Sequence, residues 1–575
     1  MARNFRLSSP GVRQAEVTIA RGEKAVKDAL KRVFRHALST MNKRRWSFVN
    51  PENWIAPEYY NVTSEMERHD SGKIALTWLD EAGASENLTY GELRARANRL
   101  AGGLRGLGLE MGDRVLVMVP RRVVSYVIYL ACLKLGLVII PTSEMLRAKD
   151  LSYRLRHSEA KAVIVWPEQA AEMEKGIREA EMPAGTVLIS ADSEIPGWMA
   201  LADVMKDQPE VMEAAPTRRE DMAILTYTSG TTGNPKGVVH SHGWGFAHLR
   251  ITASSWLDIQ PEDTVWATAA PGWQKWIWSP FLSVLGMGAT GFVYNGRFHA
   301  ERYLELLQKY RIRALCCTPT EYRLMAKTDG LERYDLSSLR SAVSAGEPLN
   351  REVVDVFRRY FGITIRDGYG QTESTLLIGT LKDTPMKIGS MGLATAAGMV
   401  EVIGETGKPL PAGEIGDIGV HRDMPALFSS YYKDPDRKPG CMRGDYFITG
   451  DRAKRDEEGY FWFEGRGDDI IISSGYTIGP FEVEDALMKH PAVKECAVVA
   501  SPDEIRGHVV KAFIVLKGGF AGSEQLVVEL QRHVKSLTAP YKYPRRVEFI
   551  EELPKTISGK VRRVDLRELE TVLHG

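Results

Sequence analysis

Hydroxyls, glycines and a lysine crowd into one short segment, TYTSGTTGNPKG at residues 226–237, directly after an apolar run. Glycines let a backbone wrap around an anion, and hydroxyl and amide groups donate hydrogen bonds to phosphate oxygens. Lys236 adds a positive charge. The spacing differs from a Walker loop, because Pro235 and Gly237 stand where Gly and Ser/Thr are needed. The segment therefore predicts a phosphate-binding loop of another kind.

A second polar segment, DGYGQTE, covers residues 367–373. The hydroxyl of Thr372 lies next to the acid Glu373, a pair that suits a phosphate and its Mg²⁺, because Mg²⁺ takes one or two carboxylates plus phosphate oxygens. Tyr369 offers a ring on which a base can stack. A plain surface turn explains the same residues equally well when the segment is considered alone.

Three further segments carry weaker signals. SAGEPL at residues 344–349 follows a strand-like run, so its backbone can line a flat ring. Asp451 ends the sequence TGD, and Arg466 follows fifteen residues later across a predicted hairpin; a carboxylate accepts well from two adjacent sugar hydroxyls. PKTISGK ends at Lys560, whose cation on a glycine-containing loop suits a negative transition state. The alternatives are turns and a basic, solvated tail.

The five segments in this order resemble the adenylate-forming superfamily of acyl- and aryl-CoA synthetases, peptide-synthetase adenylation domains and luciferases. The resemblance extends from about Asn53 to the C-terminus. PGW at 271–273, SSGY at 473–476 and YKY at 541–543 look like the medium-chain and short-chain acyl-CoA synthetase branch. The resemblance implies that ATP or AMP is bound by Thr228, Ser229, Gly230, Thr231, Thr232, Gly233, Lys236, Gly346, Glu347, Pro348, Asp367, Gly368, Tyr369, Gly370, Gln371, Thr372, Asp451 and Arg466.

The resemblance also implies the catalytic roles. Lys560 contacts the carboxylate and the α-phosphate, Thr372 meets the α-phosphate, and Glu373 binds Mg²⁺. Asp468 is the hinge about which a small C-terminal domain turns. Contacts with coenzyme A are implied for Ser474, Gly475, Tyr476, Lys535 and Tyr543.

One residue departs from the family pattern. Close relatives usually carry Arg after Gly-Tyr, whereas this chain has Thr477. In the family this arginine is associated with contacts to phosphate or coenzyme A, and Thr cannot supply a forked cation. We therefore expect a weaker contact here, or compensation by another cation.

The implied reaction joins a carboxylic acid to coenzyme A through an acyl-adenylate, with release of pyrophosphate. The expected acid is a short-, branched- or medium-chain fatty acid. The alternatives are an aryl-CoA (benzoate-like) ligase, an enzyme that loads a carrier protein, and a catalytically dead nucleotide-binding scaffold.

A cluster of four tryptophans falls within thirteen residues: Trp266, Trp273, Trp276 and Trp278. Trp273 and Trp276 are the candidates for the wall of an acyl pocket, with ordinary core packing as the alternative.

These loops need a scaffold that presents them together. Strands and helices alternate from Arg114 to Trp166 and again from Thr264 to Cys317, which predicts mostly parallel sheets of an α/β protein. From about Gly413 short antiparallel strands take over and predict a small barrel-like part, followed by a compact α+β tail. We expect a basic extension at 1–45, a large N-terminal AMP-binding domain at 46–467 and a mobile C-terminal domain at 468–575.

Composition limits the remaining possibilities. The 575 residues carry a net charge of +1, which gives no reason to expect nucleic acid as a partner. Five scattered cysteines fit a reducing compartment. The apolar stretch from Val123 to Pro141 contains Lys134, so a helix and a buried strand are expected rather than a membrane span. A cytoplasmic location follows, or the mitochondrial matrix if the Arg-rich N-terminus is a transit peptide. The sequence leaves open whether the protein is a monomer or a homodimer.

Overall fold

Three sheets organise the protein. The computed structural model describes residues 51–228, 235–347, 349, 351–467, 469, 471–473, 476–503, 507–538, 540–556 and 559–574. By its internal contacts the chain divides into Met1–Asn53 and Trp54–Gly575, and the sheets belong to the second unit.

The first sheet has eight strands, and its central part is parallel. Their spatial order is Ser430–Tyr431, Lys236–Ser241, Met222–Thr228, Val138–Pro141, Arg114–Met118, Ala162–Val165, Val187–Ser190 and Met199–Ala200. From Arg114–Met118 the chain moves to one neighbour and then crosses back to the other, which is the 2-1-3-4 order of flavodoxin-like sheets. The strands are buried on both faces, and this explains their continuous runs of Val and Ile.

The second sheet has fourteen strands and repeats this winding in its parallel half. Its strands are Ile74–Asp80, Ser85–Thr89, Thr264–Ala267, Thr290–Asn295, Ala314–Cys317, Ser341–Ala345, Ile365–Gly370, Leu376–Gly379, Gly392–Ala394, Val400–Ile403, Ile415–His421, Met442–Arg443, Tyr446–Arg455 and Tyr460–Arg466. Thr264–Ala267 lies between Thr290–Asn295 and Ala314–Cys317, so the chain again reverses direction there.

The antiparallel strands were expected to form a small barrel-like part, and this detail is corrected by the structure. Gly392–Ala394 pairs with Leu376–Gly379 on one side and with Tyr460–Arg466 on the other. Within the described chain these strands therefore extend the large sheet, whose path ends openly at Val400–Ile403.

The C-terminal part has its own sheet and core. Gly507–Leu516 pairs antiparallel with Val493–Asp503 and parallel with Arg546–Phe549, while Ile471–Ser473 and Tyr476–Ile478 complete the sheet. The last helix, Arg563–His574, is tied to this sheet by Glu570. Its carboxylate pairs with Lys511 and accepts a 2.5 Å hydrogen bond from the hydroxyl of Ser501. The predicted combination of a large α/β part and a small α+β part is confirmed.

Helices connect these strands, and several have clear local signals. Thr89 and Glu92 form a capping box at the start of Tyr90–Gly106, and Thr318 and Glu321 form another before Pro319–Ala326. The α-helices are Ser64–Glu67, Tyr90–Gly106, Val123–Lys134, Ala148–Ser158, Ala170–Ala180, Leu201–Met205, His242–His248, Gln274–Trp276, Val284–Gly286, Ala300–Lys309, Pro319–Ala326, Arg351–Phe361, Arg437–Gly440, Pro480–Met488, Glu524–Leu537 and Arg563–His574. The 3₁₀ helices are Pro51–Trp54, Pro167–Gln169, Leu331–Arg333 and Pro540–Lys542, and the π-helices are Leu249–Ala253 and Ile277–Ser283.

The apolar stretch from Val123 to Pro141 folds as expected, into the helix Val123–Lys134 and the strand Val138–Pro141. Lys134 is buried and its amine lies 2.7 Å from a carboxylate oxygen of Glu67. Among the described helices, none has the length and apolar character needed to cross a membrane.

Candidate active site

The carboxyl ends of the parallel strands in the second sheet carry most of the predicted site. Ser341–Ala345 leads to Gly346, Ile365–Gly370 leads to Gln371, and Lys275 follows Thr264–Ala267. In open α/β sheets, ligands bind at this edge where the strand order reverses. Segments far apart in the chain therefore meet because the sheet places their ends side by side.

Asp451 is held by two residues of the predicted 367–373 segment. The hydroxyl of Tyr369 donates to Oδ2 of Asp451 at 2.6 Å, and Nε2 of Gln371 donates to the same oxygen at 2.7 Å. Oδ1 accepts no hydrogen bond from the described residues and is left for an incoming donor. The predicted hairpin is confirmed, since Asp451 and Arg466 are register partners on neighbouring strands.

The charge of Asp451 depends on its cationic neighbours. Burial raises the pKa of this carboxyl, while the hydrogen bond from Tyr369 and the charges of Arg466 and Lys560 lower it. Arg466 and Lys560 therefore favour the carboxylate form, which is the form that accepts hydrogen bonds from hydroxyl groups.

Thr372 and Glu373 are held by residues of two paired strands, Lys236–Ser241 and Ser430–Tyr431. Burial lowers the pKa of His240 to about 3, so its ring is neutral, and Nε2 donates to the carbonyl oxygen of Thr372 at 2.7 Å. The hydroxyl of Tyr431 donates to Oε1 of Glu373 at 2.9 Å. Lys236 lies with its amine 5.5 Å from the centre of the Tyr431 ring. Lys236 and Glu373 therefore both lie close to Tyr431, one near its ring and the other at its hydroxyl.

The predicted phosphate loop is anchored at both ends by strand pairing, since Thr228 and Lys236 are partners in an antiparallel ladder. Five predicted residues of this loop lie outside the described residues, namely Ser229, Gly230, Thr231, Thr232 and Gly233, and so does Pro348.

Gly346 borders open space. It has φ 105, in the region that favours glycine, and a Cβ built there meets no atom within 4 Å. The next residue, Glu347, accepts a 3.0 Å hydrogen bond from Thr320 and lies 3.3 Å from Arg323. The free face of Gly346 fits the predicted contact with a flat ring.

The two glycines of the 367–373 segment have a packing reason. A Cβ on Gly368 would lie 2.6 Å from the indole of Trp256, and one on Gly370 would lie 2.3 Å from the carbonyl oxygen of Thr375. Larger residues would displace the segment, so these glycines set the position of Tyr369 and Gln371.

Asp367 is the most strongly perturbed carboxyl at this edge. Burial raises its pKa to about 7, although the backbone amide of Gly368 and the charge of Lys275 stabilise the ionised form. Its Oδ1 accepts from that amide at 2.9 Å. Asp367 therefore titrates near neutral pH within the candidate site.

Lys560 reaches this site from the C-terminal part of the chain. Desolvation lowers the pKa of its amine, Glu347 and Asp451 raise it, and Lys275 and Arg466 lower it further. The residue is nevertheless exposed to solvent, so its amine lies near these charged groups without being enclosed in a core. The loop is fixed locally, because the amide of Lys560 donates to the hydroxyl of Thr556 at 3.1 Å.

The two tryptophans predicted for the acyl pocket occupy different environments. Trp276 is 1% exposed and stacks on Phe281 with ring centres 5.4 Å apart, inside the largest core. Trp273 is partly buried and precedes the short helix Gln274–Trp276. Of the pair, Trp273 has the accessible surface that a pocket wall needs, and Trp276 is a core residue.

The residues predicted for coenzyme A are described in part. The amine of Lys535 lies 3.8 Å from the centre of the Tyr543 ring, so these two residues share one surface of the C-terminal part. Ser474, Gly475 and the predicted hinge residue Asp468 lie outside the described residues, and of Tyr476 only the backbone is described.

Three residues of the candidate site were not predicted from the sequence. Lys275 donates to the carbonyl oxygen of Ala345 at 2.7 Å, His240 holds Thr372, and Tyr431 holds Glu373. Lys275 had a signal, because it is the single charged residue between Pro271 and Phe281. His240 and Tyr431 had none, since their partners are distant in sequence.

Comparison with known proteins agrees with this geometry. The AMP-binding enzyme family matches residues 63–432, and the AMP-binding enzyme C-terminal domain matches residues 482–560. The uncharacterized acyl-CoA ligase YtcI of Bacillus subtilis (strain 168) is 60% identical over 524 residues, which are 91% of this chain and 98% of that protein. The mitochondrial acyl-coenzyme A synthetase ACSM3 of Mus musculus is 41% identical over 532 residues, 90% of this chain and 91% of that protein.

A solved relative shows the same architecture. The crystal structure of the anthranilate CoA ligase AuaEII in complex with anthranoyl-AMP superposes with a TM-score of 0.83 at 29% identity, and covers 91% of this chain and 99% of that one. The sequence matches span both the large and the small part of the protein. The chain therefore belongs to the AMP-binding enzyme family, and within it to the AMP-forming acyl-CoA ligases, which use ATP and coenzyme A.

Proposed function

We propose that this ligase converts a short-, branched- or medium-chain fatty acid first into an acyl-adenylate and then into an acyl-CoA. The arrangement at Asp451 carries the proposal: Tyr369 and Gln371 hold one carboxylate oxygen, and the charge of Lys560, from the C-terminal part, lowers the pKa of the same carboxyl. The cation thus lies beside the residues proposed to hold the nucleotide, where a carboxylate would meet the α-phosphate.

In the first step a carboxylate oxygen forms a bond to the α-phosphorus, and the bond to pyrophosphate breaks. Two anions approach each other, so the site must supply positive charge and hydrogen-bond donors. Lys560, Lys236 and Thr372 are proposed to supply them, together with amides of the phosphate loop. Asp451 accepts from the ribose hydroxyls, and the free face of Gly346 receives the base.

A magnesium ion fits the proposed site by donor chemistry. Glu373 contributes one carboxylate whose second oxygen is not engaged by Tyr431, and Thr372 adds a hydroxyl. Mg²⁺ usually keeps one or two carboxylates plus phosphate oxygens and waters. When bound, the ion would neutralise phosphate charge; Tyr431 orients Glu373 toward it.

In the second step the sulfur of coenzyme A attacks the acyl carbonyl carbon and AMP leaves. We assign Ser474, Gly475, Tyr476, Lys535 and Tyr543 to this route. A large domain at 46–467 and a mobile domain at 468–575, turning at Asp468, would present Lys560 for the first step and Gly475 for the second. An Asp468→Pro variant tests the hinge, because it should spare one half-reaction more than the other; equal loss of both would contradict it.

The acyl chain is proposed to lie against Trp273. A bulky indole at the wall favours short, branched or medium chains over long ones. Equal activity on palmitate and on butyrate or hexanoate would overturn this assignment.

A second candidate is an aryl acid, favoured by the likeness to a ligase whose name gives anthranilate as its acid. A third candidate function is transfer of the acyl group to a separate carrier protein.

For location we propose the cytoplasm, with the mitochondrial matrix as the alternative if residues 1–45 are removed as a transit peptide. Mass spectrometry of the N-terminus of the native protein distinguishes the two.

Pyrophosphate release measured over a panel of acids, with and without coenzyme A, tests the function. We expect release with butyrate, isobutyrate or hexanoate, and an acyl-CoA product when the thiol is present. Release with benzoate alone would favour the aryl ligase, and an adenylate that coenzyme A fails to discharge would favour the carrier. No release with any acid would reject the proposal.

A further inference from the structure

A second cavity lies at the carboxyl edge of the eight-stranded sheet, and its volume is about 760 Å³. It opens where the strands Arg114–Met118 and Ala162–Val165 end. These two strands are neighbours, but the chain leaves one toward Val138–Pro141 and the other toward Val187–Ser190. That is the reversal point of a flavodoxin-like sheet, where a crevice for a ligand forms. The candidate active site lies at the carboxyl edge of the other sheet, beside its own reversal point.

Arg122 follows the first of these strands and lines the cavity. Its guanidinium carbon lies 4.6 Å from the ring centre of Trp166 and 5.2 Å from that of Trp78. Its buried Nε has no hydrogen-bond partner, and no carboxylate among the described residues pairs with it. Two indoles hold the cation in place and leave its forked donors for an acceptor from outside.

The walls combine apolar, basic and acidic groups, and the acidic residues are Glu86, Asp192 and Asp207. Val123, Val127 and Leu201 are buried at the cavity, beside the two indoles. At its rim Arg96 pairs with Glu86 at 2.9 Å. A ligand that suits the apolar and basic groups has an apolar body and an anionic head.

The cavity is separate from the candidate active site. Arg121, the neighbour of Arg122, points away from it and donates to the carbonyl oxygen of Thr268 at 3.0 Å. Thr268 follows the strand Thr264–Ala267 of the other sheet. Residues assigned to ATP, the acid or coenzyme A are not among those that line this cavity.

We propose that the cavity binds a small amphipathic oxyanion, with its carboxylate or phosphate head on the guanidinium of Arg122 and its apolar body against Val127 and Leu201. A guanidinium fork matches either head in a bidentate manner. The site lies beyond the three substrates of the ligation reaction.

Binding of 6,6,6-trifluorohexanoate to the full chain, followed by ¹⁹F NMR in the absence of ATP, tests the proposal. We expect two sites in the wild-type protein, one of which is weakened at least tenfold by Arg122→Gln and less by Arg122→Lys. Arg105→Gln is the matched control, because Arg105 lies exposed on the helix of Arg96 but does not line the cavity. Hexyl phosphate and hexanoate compete as the two kinds of head, and hexylamine should not compete.

A single site that Arg122→Gln leaves unchanged overturns the proposal, and so does equal competition by hexylamine. Because the variant can lose stability, a wild-type crystal soaked with 6-bromohexanoate gives an independent answer. Anomalous density for bromine beside Val127 and Leu201 is expected. Bromine confined to the region of Trp273 contradicts the second site.

Discussion

The hydroxyl of Tyr369 donates a 2.6 Å hydrogen bond to Oδ2 of Asp451, 82 residues later in the chain. The bond joins two segments that the sequence presents separately. It fixes the carboxylate through Oδ2, so under the proposed function we expect Tyr369 to act on the nucleotide through Asp451 as well as through its own ring.

Replacing Tyr369 with Phe should therefore raise the KM for ATP about tenfold or more, because a hydrogen bond to a charged group contributes about 1.5–3 kcal/mol. The ring, and stacking on a base, remain. Tyr446→Phe is the matched control, since its hydroxyl donates to the backbone of Gly398 at 3.2 Å away from the site. Steady-state kinetics for ATP measure the effect, and equal values for both variants would count against the role of Asp451.

Replacing Lys560 with Met should reduce adenylate formation by about 10²–10³, the usual loss when one donor to a developing anion is removed. Thioester formation from a chemically prepared acyl-adenylate should change much less. Lys555→Met is the control, because Lys555 lies on the same loop and pairs with Glu495 at 2.7 Å. Loss of both half-reactions to the same extent would show that Lys560 is needed for folding or domain placement instead.

Asp367 should make stability depend on pH. Its folded pKa of about 7 exceeds the ordinary value of 3.8, so the folded state holds more protons than the unfolded state between these values. Stability therefore falls as pH rises through this window, by at most about 1.4 kcal/mol per pH unit. In Asp367→Asn this part of the slope should disappear. Urea unfolding at pH 5, 6, 7 and 8 measures it, and parallel curves for both proteins would contradict a raised pKa.

Thr477→Arg should lower the KM for coenzyme A or ATP severalfold, because Arg supplies a forked cation for phosphate and Thr does not. Thr477→Lys is the comparison, since it adds a charge without the fork. The two constants are measured separately. Unchanged values for both substrates in the Arg variant would show that another cation already makes the contact.

The sequence by itself determined the local chemistry and most of the scaffold. The alternation of strands and helices is set by neighbouring residues, and the structure has it where it was predicted. The hairpin that pairs Asp451 with Arg466 is of this kind, because turn and strand signals are local. The start of the antiparallel region was predicted near Gly413 and is wrong, because antiparallel pairing already begins at Leu376–Gly379. The family resemblance added the roles of residues that no spacing rule distinguishes.

Only the tertiary structure decided which distant groups meet. His240 reaches Thr372 and Tyr431 reaches Glu373 because the two sheets bring their ends together, and Lys275 reaches Ala345 because their strands end at the same edge of one sheet. It also placed Trp276 in the core, and it set Arg122 between two indoles at the edge of a sheet. Burial and side-chain neighbours depend on how sheets and helices pack, and a pattern along one chain records only which residues are available for that packing.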